Sequence, residues 1–174
     1  MEFIILQDGE KSLYADEIYE MLLAADKEFV PPLSARTSTT QANLTGQTEN
    51  ADGILQYFEA VMQQKIMLAT EEGKLLAFMS YRENYVHPDI DTIPNVYIST
   101  LTVKAEGRGK GLTKKMYGYL LDSYPDAAAY TRTWSTNIAH TKILSDLGFE
   151  TVKVLKDDRG DGIDTVYYKK VEGV

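Results

Sequence analysis

The sequence predicts one mixed α/β domain with its elements in the order β-α-α-β-β-β-α-β-α-β-β. Three observations carry this reading. Short apolar runs rich in β-branched residues recur between polar turns, other segments repeat their apolar residues at helical spacing, and pairs of runs meet across short glycine-containing turns. A chain of 174 residues with 44% apolar and 25% charged side chains is sized for a single core, so residues 1–174 are read as one domain.

Phe3 to Leu6 is the first strand, ending at Asp8-Gly9. Ser12 is placed to cap the helix that follows, in which Tyr14, Ile18, Met21, Leu22 and Ala25 share one face, and which stops before Pro31-Pro32. From Pro31 to Asn50 the chain is polar and rich in Ser and Thr, the composition and length of a functional or mobile loop. Ile54, Phe58 and Val61 mark a second amphipathic helix. Lys65–Thr70 and Lys74–Tyr85 form a hairpin across Glu71-Glu72-Gly73, and a loop punctuated by His87-Pro88-Asp89 and Pro94 leads to the strand Val96–Val103. A glycine cluster then opens a helix from about Leu112 to Ser123, which Pro125 ends. Ala127–Trp134 is a strand, Asn137–Leu147 a helix closed by Gly148, and Phe149–Leu155 with Ile163–Lys170 a last hairpin around an acidic turn.

Composition narrows the chemistry. With no cysteine, disulfides, thiolate metal sites and a cysteine nucleophile are excluded, and His87 and His140 alone cannot build a histidine-rich zinc site, so no metal is expected. The acidic turn from Asp157 to Asp161 lacks the spacing of a calcium loop and reads as a solvated hairpin tip. No apolar run exceeds the length of Met21–Ala25 or Leu75–Met79, far short of a membrane span or a signal-peptide core, and a cytoplasmic protein is expected. A net charge of −8 argues against nucleic acid as partner. Against that background Lys104, Arg108, Lys110, Lys114 and Lys115 make a small basic island, a candidate anion site.

The island coincides with Glu106-Gly107-Arg108-Gly109-Lys110-Gly111-Leu112-Thr113. A strand running into a glycine turn that opens a helix converges several main-chain N–H groups at the positive end of a helix dipole, a geometry suited to a pyrophosphate. The spacing is neither that of a P-loop nor that of a dinucleotide-binding turn. Arg108-Gly109-Lys110-Gly111-Leu112-Thr113, after the strand Tyr97–Val103, resembles the acetyl-CoA signature Q/R-x-x-G-x-G/A of the GNAT N-acetyltransferase superfamily, with Thr113 where the family has Gly or Ala. Downstream, Asn137 to Gly148-Phe149 is similar to the family's N-x-x-A-x-x-x-Y-x-x-x-G-F segment, with His140 in place of the alanine and Leu144 in place of the tyrosine.

The resemblance implies a mostly antiparallel twisted sheet splayed between its fourth and fifth strands, and acetyl-CoA as cosubstrate. It implies that Leu101, Thr102 and Val103 meet the pantetheine through main-chain groups, that Arg108, Gly109, Lys110, Gly111, Leu112 and Thr113 bind the diphosphate, and that Asn137 and the following helix, including Leu144, line the thiol end. Asn137 is equally well placed as a helix N-cap.

The activity so implied is N-acetylation of a small-molecule or peptide amine by direct attack in a ternary complex, by a monomer or homodimer. A noncatalytic acyl-CoA sensor and a transferase acting on protein amines are the alternatives. Many family members place a base, a glutamate, where Tyr97 stands. Tyr97 and Ser99 share a strand face suited to a water relay, and His87 has the most suitable ordinary pKa. Leu144 cannot protonate a departing thiolate, and Tyr117, Tyr119, Tyr124 and Tyr130 are alternatives that sequence does not rank. Trp134 is placed to wall the acceptor site, and Arg36, in the polar loop, to pair with an acceptor carboxylate.

Overall fold

The computed structural model describes residues 1–46 and 52–171. Along them run β1 (Glu2–Ile5), α1 (Ala15–Ala25), α2 (Gly53–Met62), β2 (Lys65–Glu71), β3 (Lys74–Glu83), β4 (Asn95–Val103), α3 (Leu112–Ser123), β5 (Ala128–Trp134), α4 (Ile138–Asp146), β6 (Glu150–Leu155) and β7 (Thr165–Lys170). The order is the one the periodicities predict. The strands form one sheet in the order β1-β2-β3-β4-β5-β7-β6, antiparallel throughout except between β4 and β5.

Both faces of the sheet centre are covered, which is why β2 and β3 read as continuous apolar runs rather than as alternation. Ile66, Leu68 and Phe78 pack under α1 and α2 with Ile18, Leu22 and Tyr57. Met67, Met79 and Ile98 pack on the other face under α3 and α4 with Met116, Leu120 and Leu144.

The parallel pairing of β4 with β5 runs from Asn95–Ala128 to Ile98–Thr131 and stops. Its last tie is a hydrogen bond from Thr131 Oγ1 to the carbonyl oxygen of Ile98, at 2.9 Å. At this point Ser80 of β3 faces Thr100 while Tyr81 faces Ile98, so Ser99 is the extra residue of a β-bulge. A bulge bends its strand and raises the local twist, and beyond it β4 and β5 part. The splay expected between these strands therefore begins at Ser99.

Two local expectations are corrected. Ser12 caps nothing, because a 3-10 turn over Asp8–Tyr14 precedes α1, and that turn is closed by the Glu10 carboxylate accepting from the Gln7 N–H at 2.8 Å. Of the polar segment after α1, residues 47–50 lie outside the described residues, and the part from Pro31 to Gly46 is packed against the domain rather than mobile. Leu33, Ala35, Arg36, Thr39 and Leu44 are buried, and Thr45 Oγ1 donates to the Asp157 carbonyl oxygen at 2.8 Å, tying it to the β6–β7 turn. Gly53 permits this packing, since a Cβ there would stand 1.9 Å from the Ser34 carbonyl oxygen.

Candidate active site

The gap between the parted strands opens into a cavity of about 710 Å³. Its walls are the free edge of β4 from Ile98 to Val103, the start of α3, the end of β5 from Thr131 to Trp134, the inner side of α4, and Glu28 and Phe29 after α1.

The β4 edge is directed by register. Lys104 donates to the Leu76 carbonyl oxygen at 2.8 Å, which makes that pair hydrogen-bonded. By antiparallel alternation Thr102 and Phe78 are the next such pair, so Leu101 and Val103 turn their main-chain groups away from β3 toward the gap. Thr102 instead has its hydroxyl buried without a partner among the described residues.

At the glycine turn Gly109 and Gly111 have φ of 76° and 68°, left-handed values that disfavour side chains, and Gly111 is the residue from which α3 starts. The first helical bond is accepted by the Gly111 carbonyl oxygen from Lys115. The N–H groups of Gly109, Lys110, Gly111, Leu112, Thr113 and Lys114 have no acceptor among the described residues. That is a row of donors facing a helix N-terminus. The basic side chains around it pair outward: Arg108 with Glu28 at 2.5 Å, Lys104 with Glu17 at 2.9 Å, and Lys110 with Glu71. These pairs are exposed, and screening by solvent leaves them little weight in stability.

The middle of the cavity holds the Asn137 side chain, whose Nδ2 donates to Thr133 Oγ1 at 3.2 Å. Asn137 occupies the N-cap position of α4 without capping it through its side chain. Beside it the Tyr117 hydroxyl and His140 Nε2 share a hydrogen bond at 2.9 Å, and both residues line the cavity. Burial lowers the His140 pKa to about 4 and raises that of Tyr117, so both are neutral at pH 7.

A family model described as the acetyltransferase (GNAT) family matches residues 33–149. The chain belongs to the GNAT acetyltransferase family and is an acyltransferase. No curated protein matches this GNAT chain. Among solved structures it is similar to a ribosomal-protein-alanine N-acetyltransferase from Brucella melitensis, at 13% identity over 98% of this chain and 99% of the other, with a TM-score of 0.66. It is also similar to yncA of Salmonella typhimurium, solved with its cofactor acetyl-CoA, at 17% identity over 98% and 93%, with a TM-score of 0.65. An aminoglycoside 6'-N-acetyltransferase from Enterococcus faecium matches at 14% identity over 98% and 96%, with a TM-score of 0.65.

The remaining sequence candidates of this GNAT chain scatter. Leu144, expected along the thiol end, is instead fully buried in the core with Met116 and Phe149, because α4 turns that side to the sheet. His87 does not line the cavity; it is stacked between the rings of Tyr85 and Tyr167, and its Nδ1 accepts from the Asp89 N–H at 3.1 Å. Tyr97 is buried, and burial raises its pKa, so it stays neutral. Ser99 lines the cavity and bonds to Gln64 and, at 3.1 Å, to the Ser80 hydroxyl. Trp134 is on the wall, its ring 5.7 Å from that of Phe29. Arg36 is only 4% exposed and lies over the Phe29 ring.

Of the tyrosines left unranked, Tyr117 alone reaches the cavity. Tyr119 lies against Phe3, Tyr124 bonds to Glu83 and Tyr81, and Tyr130 to Asp91. Two residues that sequence reading passed over gather beside Arg36: Arg132 on the cavity wall, and Arg159 over the Trp134 ring. Arg132 is the only charge in the strand Ala127–Trp134, a cue that was present.

Proposed function

We propose that this protein transfers the acetyl group of acetyl-CoA to a primary amine of a small molecule or peptide, by direct attack within a ternary complex. It acts as one domain over residues 1–174, in the cytoplasm, as monomer or homodimer. The observation that carries this reading is the row of unpaired N–H groups from Gly109 to Lys114, opening into the same cavity as the free β4 edge. The donor set suits a diphosphate, and the edge at Leu101 and Val103 suits the amides of a pantetheine arm.

When bound, acetyl-CoA supplies an activated acyl carbon and a thiolate leaving group. Gly109 to Lys114 hold its diphosphate through main-chain N–H groups, and Asn137 orients the arm. Tyr117 keeps a proton at the cavity wall. In the tautomer with hydrogen on Nε2, His140 donates to the Tyr117 oxygen, which frees the phenol proton for a departing thiolate and stabilises the phenolate left behind. The neutral Tyr97 is no base. The amine, with a free pKa of about 10.4, loses its proton to solvent, favoured by the guanidinium charge at the Arg132 end.

The test is calorimetric titration of acetyl-CoA together with a free-thiol assay over a panel of amines. Binding plus amine-dependent thiol release is expected. Absence of acetyl-CoA binding, or of release with every amine, overturns the reading.

A further inference from the structure

Where Arg132 lines the cavity, two further guanidinium groups lie behind the wall made by Phe29 and Trp134, so that three charges converge from three distant segments. Arg132 comes from β5, Arg36 from the segment after α1, and Arg159 from the β6–β7 turn. Arg36 and Arg159 are 4% and 6% exposed, burial typical of core residues rather than of arginines. Their hydrogen bonds go to neutral oxygens. Arg36 donates from Nε and Nη2 to the Pro31 carbonyl oxygen at 3.1 and 2.9 Å. Arg132 donates to the Gln41 carbonyl oxygen at 2.8 Å and to the Tyr167 hydroxyl at 3.4 Å. Arg159 donates to the Val30 carbonyl oxygen at 2.8 Å and to Thr165 Oγ1 at 2.9 Å.

Among the described residues none of the three forms an ion pair, and Arg36 Nη1 and Arg159 Nη2 have no hydrogen-bond partner. The nearby carboxylates are engaged elsewhere: Asp26 by the N–H and hydroxyl of Ser34 at 2.7 and 2.9 Å, Asp158 by Thr165, and Glu28 by Arg108. Burial first, and then the charges of Arg36 and Arg132, lower the Arg159 pKa. Three like charges in a shielded place, without a direct ion pair and balanced only in part by the more distant charges of Asp26 and Asp158, are costly unless an anion completes them. The protein as a whole is acidic, so this charge is local and has been gathered by the fold.

We propose that the acceptor is an amine that also bears an oxyanion, carboxylate or phosphate, and that this oxyanion is held by Arg36, Arg132 and Arg159. The inference rests on the acetyl-transfer reading above and names the class of its acceptor. Guanidinium forks suit the paired oxygens of either anion, and Phe29 and Trp134 give the carbon chain between amine and anion an apolar wall. The same charge repels polycationic acceptors.

The experiment compares matched amines in the free-thiol assay: glycine, alanine and glutamate against their amides, phosphoethanolamine against ethanolamine, and spermidine. The anionic member of a pair is expected to exceed its neutral partner at least roughly tenfold in kcat/KM. The amino acid and phosphoethanolamine arms separate carboxylate from phosphate. Arg132→Gln is expected to raise the KM of the preferred anionic amine by a similar factor while the affinity for acetyl-CoA is unchanged.

Equal use of neutral partners, or preference for spermidine, overturns the proposal and leaves acetyl transfer standing. Should no amine turn over, the functional reading fails instead. Calorimetric titration of the same anionic amines then decides this one, since absence of anion-dependent binding overturns it.

Discussion

The two ends of the cavity are built on opposite plans. The glycine-turn end uses main-chain N–H groups of consecutive residues, Gly109 to Lys114, and its side chains are exposed and paired with Glu28, Glu17 and Glu71. The arginine end uses side chains from residues 36, 132 and 159, the first and last buried and Arg132 on the cavity wall, each bonded to a carbonyl oxygen. A site made of consecutive backbone depends on local φ and ψ and tolerates surface change. A site made of converging side chains is also part of what holds the fold together, so the same substitution acts on binding and on stability.

Substitutions can break this contrast. The largest effect is expected for Gly111→Val, which forces a β-branched residue into a left-handed conformation at the start of α3 and displaces the N–H row. Acetyl-CoA affinity should fall on the order of a hundredfold, about 2.7 kcal/mol, by calorimetry. Unchanged affinity in a folded variant would remove the diphosphate assignment.

Arg159→Met comes next. It strips the Val30 carbonyl and Thr165 of their donor and the Trp134 ring of its cation, and should cost about 2 kcal/mol in denaturant unfolding. A loss near zero would mean that the arginine end does not support the fold.

His140 tests the boundary between the two ends. Its folded-state pKa of about 4 lies below the ordinary value of about 6.5, so on acidification the unfolded chain takes the proton first. Stability should be full well above pH 6.5, decline as the pH falls toward 4, and level off below. His140→Gln should flatten that interval, and an unchanged slope would show that the decline comes from other groups.

Tyr117→Phe removes the hydroxyl beside His140 and should lower kcat roughly tenfold or more, with little change in acetyl-CoA affinity. An unchanged kcat, with chemistry limiting, would return the thiolate proton to solvent. The smallest effect is expected for Arg108→Gln, whose half-exposed pair with Glu28 should be worth under about 0.5 kcal/mol of stability. A loss as large as that of Arg159→Met would erase the contrast.

What sequence reading missed follows the same division. Arg159 sits in the turn Asp157-Asp158-Arg159-Gly160-Asp161, whose acidic neighbours suggest a solvated tip. The turn folds back on the segment after α1, and the arginine is buried. Leu144 occupies a position that the motif resemblance implies to face the ligand, yet helical phase is set by what packs beneath α4, and there it meets Met116 and Phe149. Ser12 has the chemistry of a cap, but Glu10 closes an earlier turn first.

The sequence by itself determined the order of the seven strands and four helices among the described residues and the glycine turn that starts α3, because apolar periodicity and the need for a left-handed backbone are properties of neighbouring residues; the family was legible as a resemblance of the Arg108–Thr113 and Asn137–Phe149 segments to known motifs. Only the tertiary structure decided that β4 and β5 part at the Ser99 bulge, that Tyr117 rather than another tyrosine meets His140, and that Arg36, Arg132 and Arg159 converge. Those depend on the sheet order, which sets β5 between β4 and β7, and on loops docking across the sheet end. Contacts between residues so far apart in the chain leave no local pattern to read.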